Sequence, residues 1–190
     1  MSESDTAYLA QLKELERLRL DVLDEYELFN EEQLTFQPEP GHWNLLQVLD
    51  HLVTTEKMSA IYIKRQLTAK KYPPAPGFKS KMRYLLLKTA LRLPFRYKAP
   101  AVVDSTGRTP QYFDLKENWE IIRREIETIV ETTDADLLEL GVFSHPRAGL
   151  LNMEQALDFL ARHLRHHKKQ VERIKTHEKF PVLNSNKSYA

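Results

Sequence analysis

Four long stretches of this sequence repeat apolar residues at alternating three- and four-residue spacing, which is the period of an amphipathic α-helix. In the first stretch the spacing runs through Leu15, Leu18 and Val22. It predicts helices over residues 6–29, from 43 or 44 to 69, from 111 or 113 to 133, and from 152 to 177. Proline and glycine clusters separate the stretches, and no strand pattern or internal repeat stands out. Because each helix has one face to bury, the sequence predicts an all-α fold, a four-helix bundle.

The connection between the second and third long helices, residues 70–110, is a long crossover. Within it, residues 82–93 predict a short extra helix that Pro94 ends, and residues 99–110 predict an extended loop. Residues 78–98 contain seven lysines and arginines and no acidic residue. This basic segment could be a lid that attracts an anionic ligand, a surface for anionic lipids, or an insertion that covers the bundle or a dimer contact. We favour the insertion.

Length and composition limit the class of protein. The 190 residues predict a single bundle domain over 1–180 and a mobile polar tail over 181–190. A formal net charge of +1 argues against nucleic-acid binding, and no apolar run approaches the roughly 18 residues of a membrane span. The N-terminus lacks the pattern of a signal peptide, so we expect a cytoplasmic protein for which membrane contact is not a function. The absence of cysteine excludes disulfides and thiolate metal sites, and any metal ligands must be His, Asp or Glu.

Two histidines one helical turn apart, His163 and His167, form the clearest candidate site. Imidazoles at positions i and i+4 lie on one helix face and can share a metal ion. At about 100° per residue, His167 falls within the apolar stripe of its helix, His163 falls at the edge of that stripe, and His166 points away from the core. On the second helix, His51 also lies at the edge of an apolar stripe. Histidines that only form hydrogen bonds in the core are the alternative.

Other polar residues near these histidines have less specific interpretations. Gln47, Thr55 and Gln170 lie one turn from a candidate ligand and could fix the imidazole tautomers. By helical phase Asp50 and Asp158 point away from the site, which leaves no evident general base. Two further histidines, His42 and His145, lie beside prolines and are predicted to be turn or capping residues. No His-Glu-x-x-His sequence occurs, which argues against a classical zinc protease.

Three phrases of the sequence resemble the DinB superfamily, most closely its DinB_2-type branch of YfiT-like metal-dependent hydrolases. They are Trp43-Asn-Leu-Leu-Gln-Val-Leu-Asp-His51, the turn Phe143-Ser-His-Pro146 with Gly149, and the helix segment His163-Leu-Arg-His-His167. The resemblance implies a four-helix bundle in which one histidine of the second helix and two of the fourth bind a metal. These map onto His51, His163 and His167. It also implies a homodimer and a divalent ion, with zinc or nickel preferred. The crossover of this chain is longer than the family minimum, so its basic helix has no counterpart in the resemblance.

The resemblance leaves several functions open. Some related branches are thiol transferases that use glutathione, mycothiol or bacillithiol, so a low-molecular-weight thiol is a possible second cofactor. We therefore expect a metal-dependent enzyme that acts on a small-molecule substrate and activates either water, as a hydrolase, or a thiol, as an S-transferase. The alternatives are a non-catalytic bundle that binds a metal or ligand in stress response, and an interaction protein in which the histidines are relics.

Overall fold

The computed structural model describes residues 3–69, 72–93 and 99–182. Its elements, in chain order, are α1 (Glu3–Tyr26), α2 (Glu31–Thr35), α3 (Leu45–Thr68), α4 (Phe78–Arg92), α5 (Tyr112–Thr132), α6 (Ala135–Leu138), β1 (Phe143–His145), β2 (Gly149–Leu151) and α7 (Met153–Lys175). The four long helices α1, α3, α5 and α7 agree with the four predicted stretches to within a few residues. Most of the predicted tail, 183–190, lies outside the described residues.

The four long helices form the predicted bundle around one apolar core. The first, α1, packs on α7 and α5, and α3 packs on the same two helices, so the consecutive bundle helices α1 and α3 occupy diagonal corners. Leu15, Leu49, Trp119 and Leu160 are among the fully buried side chains of the core. The arrangement places one face of α3 directly against α7, and these are the two helices that carry the candidate ligands.

An Asn-x-x-Gln sequence begins each of these two helices. The Asn44 side chain accepts a hydrogen bond from the Gln47 backbone N–H (2.8 Å), and the Gln47 side chain accepts one from the Asn44 N–H (3.1 Å). At α7, Asn152 and Gln155 form the same capping box, with distances of 3.0 and 3.2 Å. Capping satisfies N–H groups that the helix itself cannot pair. The starts of α3 and α7 are therefore fixed locally, a few turns before the histidines.

The segment before α7 corrects the prediction of a fold without strands. Phe143–His145 and Gly149–Leu151 pair as an antiparallel hairpin, in which Phe143 lies opposite Leu151. Gly149 has a positive φ of 79°, a conformation that residues with a Cβ rarely adopt. Strands of three residues are too short to show the two-residue period of a sheet, so the sequence carries no periodic signal for them.

The crossover helix α4 begins at Phe78, four residues before its predicted start, and packs on α7 and β2. The Tyr84 hydroxyl donates to Asp158 Oδ2 of α7 at 2.7 Å. Residues 101–103, predicted to be extended, form a short 3₁₀ turn. Residues 94–98 of the basic segment lie outside the described residues. The described part of the segment therefore lies against one side of the bundle, and its role as a lid, a lipid surface or an insertion stays a prediction. Among residues 3–69, 72–93 and 99–182, none of the helices combines the length and the apolar character that a membrane span requires.

Candidate metal centre

Three histidine side chains from α3 and α7 meet at one point. His51 Nε2 lies 3.1 Å from His163 Nε2, and His167 Nε2 lies 3.1 Å from the same atom. All three side chains are buried, with exposed fractions of 5 to 9%. Within the described ranges, no carboxylate belongs to this cluster. The structure thus brings together the three residues that helical phase and the resemblance selected.

Hydrogen bonds on the opposite side of two rings set their orientation. His51 Nδ1 donates to the Val103 carbonyl oxygen (2.7 Å), and His167 Nδ1 donates to Gln170 Oε1 (2.9 Å). Since both acceptors lack a hydrogen to give, the proton of each neutral ring belongs on Nδ1. The Nε2 lone pairs of His51 and His167 are therefore directed at His163. Histidines that bind a metal through one ring nitrogen commonly donate the N–H of the other nitrogen to an acceptor in this way.

Side-chain hydrogen bonds tie the loop that supplies the Val103 carbonyl to α3 and to Trp43, which lies just before α3. Trp43 Nε1 donates to Thr106 Oγ1 (3.0 Å), and its ring lies 4.8 Å from the ring of His51. Ser105 Oγ donates to Asp50 Oδ2 at 2.6 Å. Gln47 Nε2 donates to the backbone carbonyl of Arg108 at 3.1 Å. Trp43, Gln47 and Asp50, which are close to His51 in sequence, therefore hold the loop in place. The Val103 carbonyl of this loop orients the His51 ring.

Burial keeps the three imidazoles neutral. Desolvation lowers the pKa of His163 and His167 well below the ordinary value, and the neighbouring histidines lower both further. Burial also lowers the pKa of His51, although the hydrogen bond to Val103 opposes the shift. A neutral imidazole keeps one lone pair, which is the form that binds a metal.

The geometry of the cluster fits a divalent ion. A tetrahedral ion with Zn–N bonds of about 2.05 Å holds its ligand nitrogens about 3.3 Å apart. The two Nε2 separations of 3.1 Å are close to this value. A proton on His163 Nε2 can satisfy only one of the two lone pairs that face it, whereas a cation satisfies all three nitrogens. The donor set therefore fits a metal better than a hydrogen-bonded core.

A large cavity opens on the histidines. Its volume is about 1000 Å³, and His51, His163 and His167 form part of its wall. The other walls come from α4, the hairpin turn, the 3₁₀ turn and the loop before α3. Cavities of this size hold small-molecule ligands. A ligand bound there would have direct access to the Nε2 cluster.

Comparison with known proteins places this chain in a family. The model of the DinB superfamily matches residues 14–171. The chain belongs to the DinB superfamily. A relative, the uncharacterized protein YuaE of Bacillus subtilis (strain 168), is 23% identical over 157 residues, which cover 83% of this chain and 92% of that protein.

A solved structure supports the fold of this DinB superfamily member. It is described as "YfiT from Bacillus subtilis is a probable metal-dependent hydrolase with an unusual four-helix bundle topology". The match has a TM-score of 0.61 and 18% sequence identity, and it covers 92% of this chain and 88% of that chain. At this identity the likeness establishes the four-helix bundle fold.

The position of His166 in this DinB superfamily member differs from the prediction that it points away from the core. His166 is 7% exposed, and its Nδ1 lies 3.1 Å from the Leu91 carbonyl oxygen of α4. The reason is that the helical-phase prediction considers only the face of α7 that packs on the bundle core. In the structure, α4 covers a second face of α7. His166 is buried by the crossover but does not join the Nε2 cluster.

Only one of the three predicted supporting residues contacts an imidazole. Gln170 orients His167, as expected. Gln47 instead caps α3 and holds the crossover loop. The Thr55 hydroxyl lines the cavity and makes no hydrogen bond within the part of the chain that the structure describes. Asp50 and Asp158 do not line the cavity, which agrees with their helical phase, but Asp50 is buried because the loop packs over it.

His145 has the predicted turn role and also lines the cavity. Its Nδ1 accepts hydrogen bonds from the backbone N–H groups of Arg147 (3.2 Å) and Ala148 (3.1 Å). Burial, and secondly the Arg147 charge, lower its pKa to about 4. The ring is therefore neutral at pH 7 with its proton on Nε2, which makes it a hydrogen-bond donor beside the site. The His-Pro-x-x-Gly turn was the sequence signal for this role, but the turn alone does not show that it faces a cavity.

Proposed function

We propose that this protein is a metal-dependent enzyme in which His51, His163 and His167 hold one divalent ion, zinc or nickel. The enzyme acts on a small-molecule substrate that binds in the cavity. The observation that carries the proposal is the convergence of three neutral, buried Nε2 atoms on a cavity of about 1000 Å³. Without a cation, one of the two lone pairs that face His163 Nε2 stays buried and unsatisfied, which is a cost that a purely structural core would avoid.

Each side chain of the site has a definable task. The three histidines bind the ion, while Val103 and Gln170 keep the Nε2 lone pairs of His51 and His167 aimed at it. Because all three ligands are neutral, a divalent ion held by them would supply Lewis-acid chemistry with its double charge undiminished, of the kind that lowers the pKa of water to about 7. The ring of Phe159 lies 5.5 Å from that of His163 and gives the cavity an apolar wall beside the site.

Activation of water is the reaction we favour. The structural neighbour YfiT is described as a probable metal-dependent hydrolase, and the bundle of this chain is similar. A small-molecule thiol is the second candidate nucleophile, because a thiolate and a hydroxide are both anions that the same centre stabilises. A cytoplasmic location and a homodimer stay predictions, as does the alternative of a non-catalytic metal-binding bundle.

Metal analysis tests the ligand set. We expect purified protein that has been incubated with zinc or nickel and then desalted to retain about one ion per chain, and His163→Ala to retain none. His177→Gln is the matched control, since His177 lines the same cavity outside the Nε2 cluster. Absence of metal from the wild type, or full metal content in His163→Ala, would contradict the proposal.

Activity assays then separate the enzyme from a binding protein. Metal-loaded protein should hydrolyse a panel of activated esters and amides, or conjugate glutathione, bacillithiol or mycothiol to an electrophile, and His51→Ala should abolish turnover. Turnover with water alone supports the hydrolase, and turnover that requires an added thiol supports the transferase. Stoichiometric metal without turnover of any panel member would favour the non-catalytic alternative.

A further inference from the structure

Most of the surface that the cavity wall exposes is apolar, although about half of the lining residues are polar. Leu91 of α4 and Phe159 and Ile174 of α7 belong to this wall. Two more lining residues, Leu86 and Val102, are 67% and 55% exposed. Large apolar side chains left in solvent beside a cavity are typical of a surface that a ligand covers. The cavity therefore suits a ligand with an apolar body.

Two of the three arginines that line the cavity lie at the hairpin. Arg83 projects from α4, and a Cβ added to Gly149 would lie 4.0 Å from Arg83 Nη1, so this guanidinium reaches the hairpin turn. Arg147 belongs to the same turn, also lines the cavity, and affects the titration of His145. Guanidinium groups bind carboxylates with paired N–H donors. This end of the cavity is suited to an anionic group.

The negative charges of the cavity lie elsewhere. Glu39, in the loop before α3, has its Oε1 3.9 Å from His177 Nε2. Asp104, in the crossover loop, accepts hydrogen bonds from the backbone N–H and hydroxyl of Thr106. Neither residue belongs to α4 or to the hairpin. A third lining arginine, Arg173, belongs to α7 and lies four residues before His177. The side formed by α4 and the hairpin therefore carries arginines and no lining carboxylate, and a ligand with one negative end should prefer to place that end there.

Aromatic contacts connect the arginine end with the metal-binding histidines. The ring of His145, at the hairpin, lies 4.6 Å from the ring of Phe159, which in turn lies 5.5 Å from the ring of His163. A ligand with its anion at Arg83 and Arg147 would lay its apolar body along Phe159. Its other end would then reach the Nε2 cluster.

We propose that the cavity takes an elongated amphipathic carboxylate, whose carboxylate binds Arg83 and Arg147 and whose apolar body extends along Phe159 toward the three histidines. This substrate class rests on the proposed function only in placing the reactive end of the ligand at the metal. The anion site itself consists of arginines and does not require the ion.

Calorimetric titration with octanoate tests the anion site, with 1-octanol as the neutral probe of the same length. Both are measured with zinc-loaded and with metal-free protein. We expect octanoate to bind several-fold more tightly than 1-octanol. Arg83→Gln and Arg147→Gln should each weaken octanoate about fivefold, as loss of one solvent-accessible ion pair does, and the double variant more than tenfold. The affinity for 1-octanol should not change, and Arg124→Gln, on the outer surface of α5, is the matched control.

The outcomes distinguish this proposal from the metal site. Octanoate affinity that is unchanged in the double arginine variant overturns the proposal, as does equal binding of the two probes or no octanoate binding at millimolar concentration. Octanoate binding that disappears on metal removal while the arginine variants bind normally assigns the carboxylate to the metal instead, and also overturns it. Metal content is measured in every variant, so a failure of the metal site is seen separately from a failure of the anion site.

Discussion

The two helices on either side of the cavity, α7 and α4, are built in opposite ways. The bundle helix α7 begins with a capping box and buries a continuous stripe that includes Leu160 and all the ligands it contributes. The crossover helix α4 has no side-chain cap, and it leaves Phe78 and Leu86 79% and 67% exposed. One wall of the site belongs to the bundle core, whereas the other packs on α7 and β2 and leaves much of its apolar surface in solvent. We infer that α7 sets the positions of the metal-binding histidines and that α4 determines how a ligand enters the cavity.

The largest expected effect concerns the α7 side. Zinc at about a thousand times its dissociation constant should stabilise the folded protein by about 4 kcal/mol, because the unfolded chain has no preformed site. For a chain of this size that corresponds to a rise in Tm of roughly 8–16 °C, measured by scanning calorimetry with and without a chelator. The rise should vanish in His163→Ala and persist in Leu86→Ala. A rise of the same size in His163→Ala would show that the ion binds elsewhere.

The sequence predicted the bundle helices better than the crossover helix α4 and its contacts. The spacing of residues such as Leu160 predicts the bundle, and helical phase places His163 and His167 on the correct face, because both depend on one helix against one core. The burial of His166 depends instead on α4 packing over a second face, which no local pattern encodes. The hydrogen bond from His51 to Val103 was not predicted for a related reason. Its acceptor is a backbone carbonyl oxygen, which every residue has, so the residue type at position 103 does not reveal it. The three-residue strands of the hairpin are too short for their period to be recognised.

Truncation of one leucine on each helix tests whether the two walls differ in packing. Leu160→Ala should destabilise the protein by about 3 kcal/mol, since it leaves a cavity in the core. Leu86→Ala should change the free energy of unfolding by less than about 0.5 kcal/mol, because its side chain is mostly in solvent. Urea denaturation with a common m-value measures both. Equal losses would mean that α4 is as firmly part of the core as α7.

The smallest expected effects separate the orientation of His167 by Gln170 from the attachment of α4 to α7 by Tyr84. Gln170→Leu removes the acceptor for His167 Nδ1 and should weaken zinc binding by about 10- to 100-fold, with little change in the stability of the metal-free protein. Tyr84→Phe removes the hydrogen bond from α4 to Asp158 and should cost about 1 kcal/mol of stability, with zinc affinity unchanged. Competition with a chromogenic chelator gives the affinities, and urea denaturation of metal-free protein gives the stabilities. If Tyr84→Phe also weakened zinc binding, the position of α4 would be coupled to the histidines, and the metal site would depend on the crossover helix as well as on the bundle core.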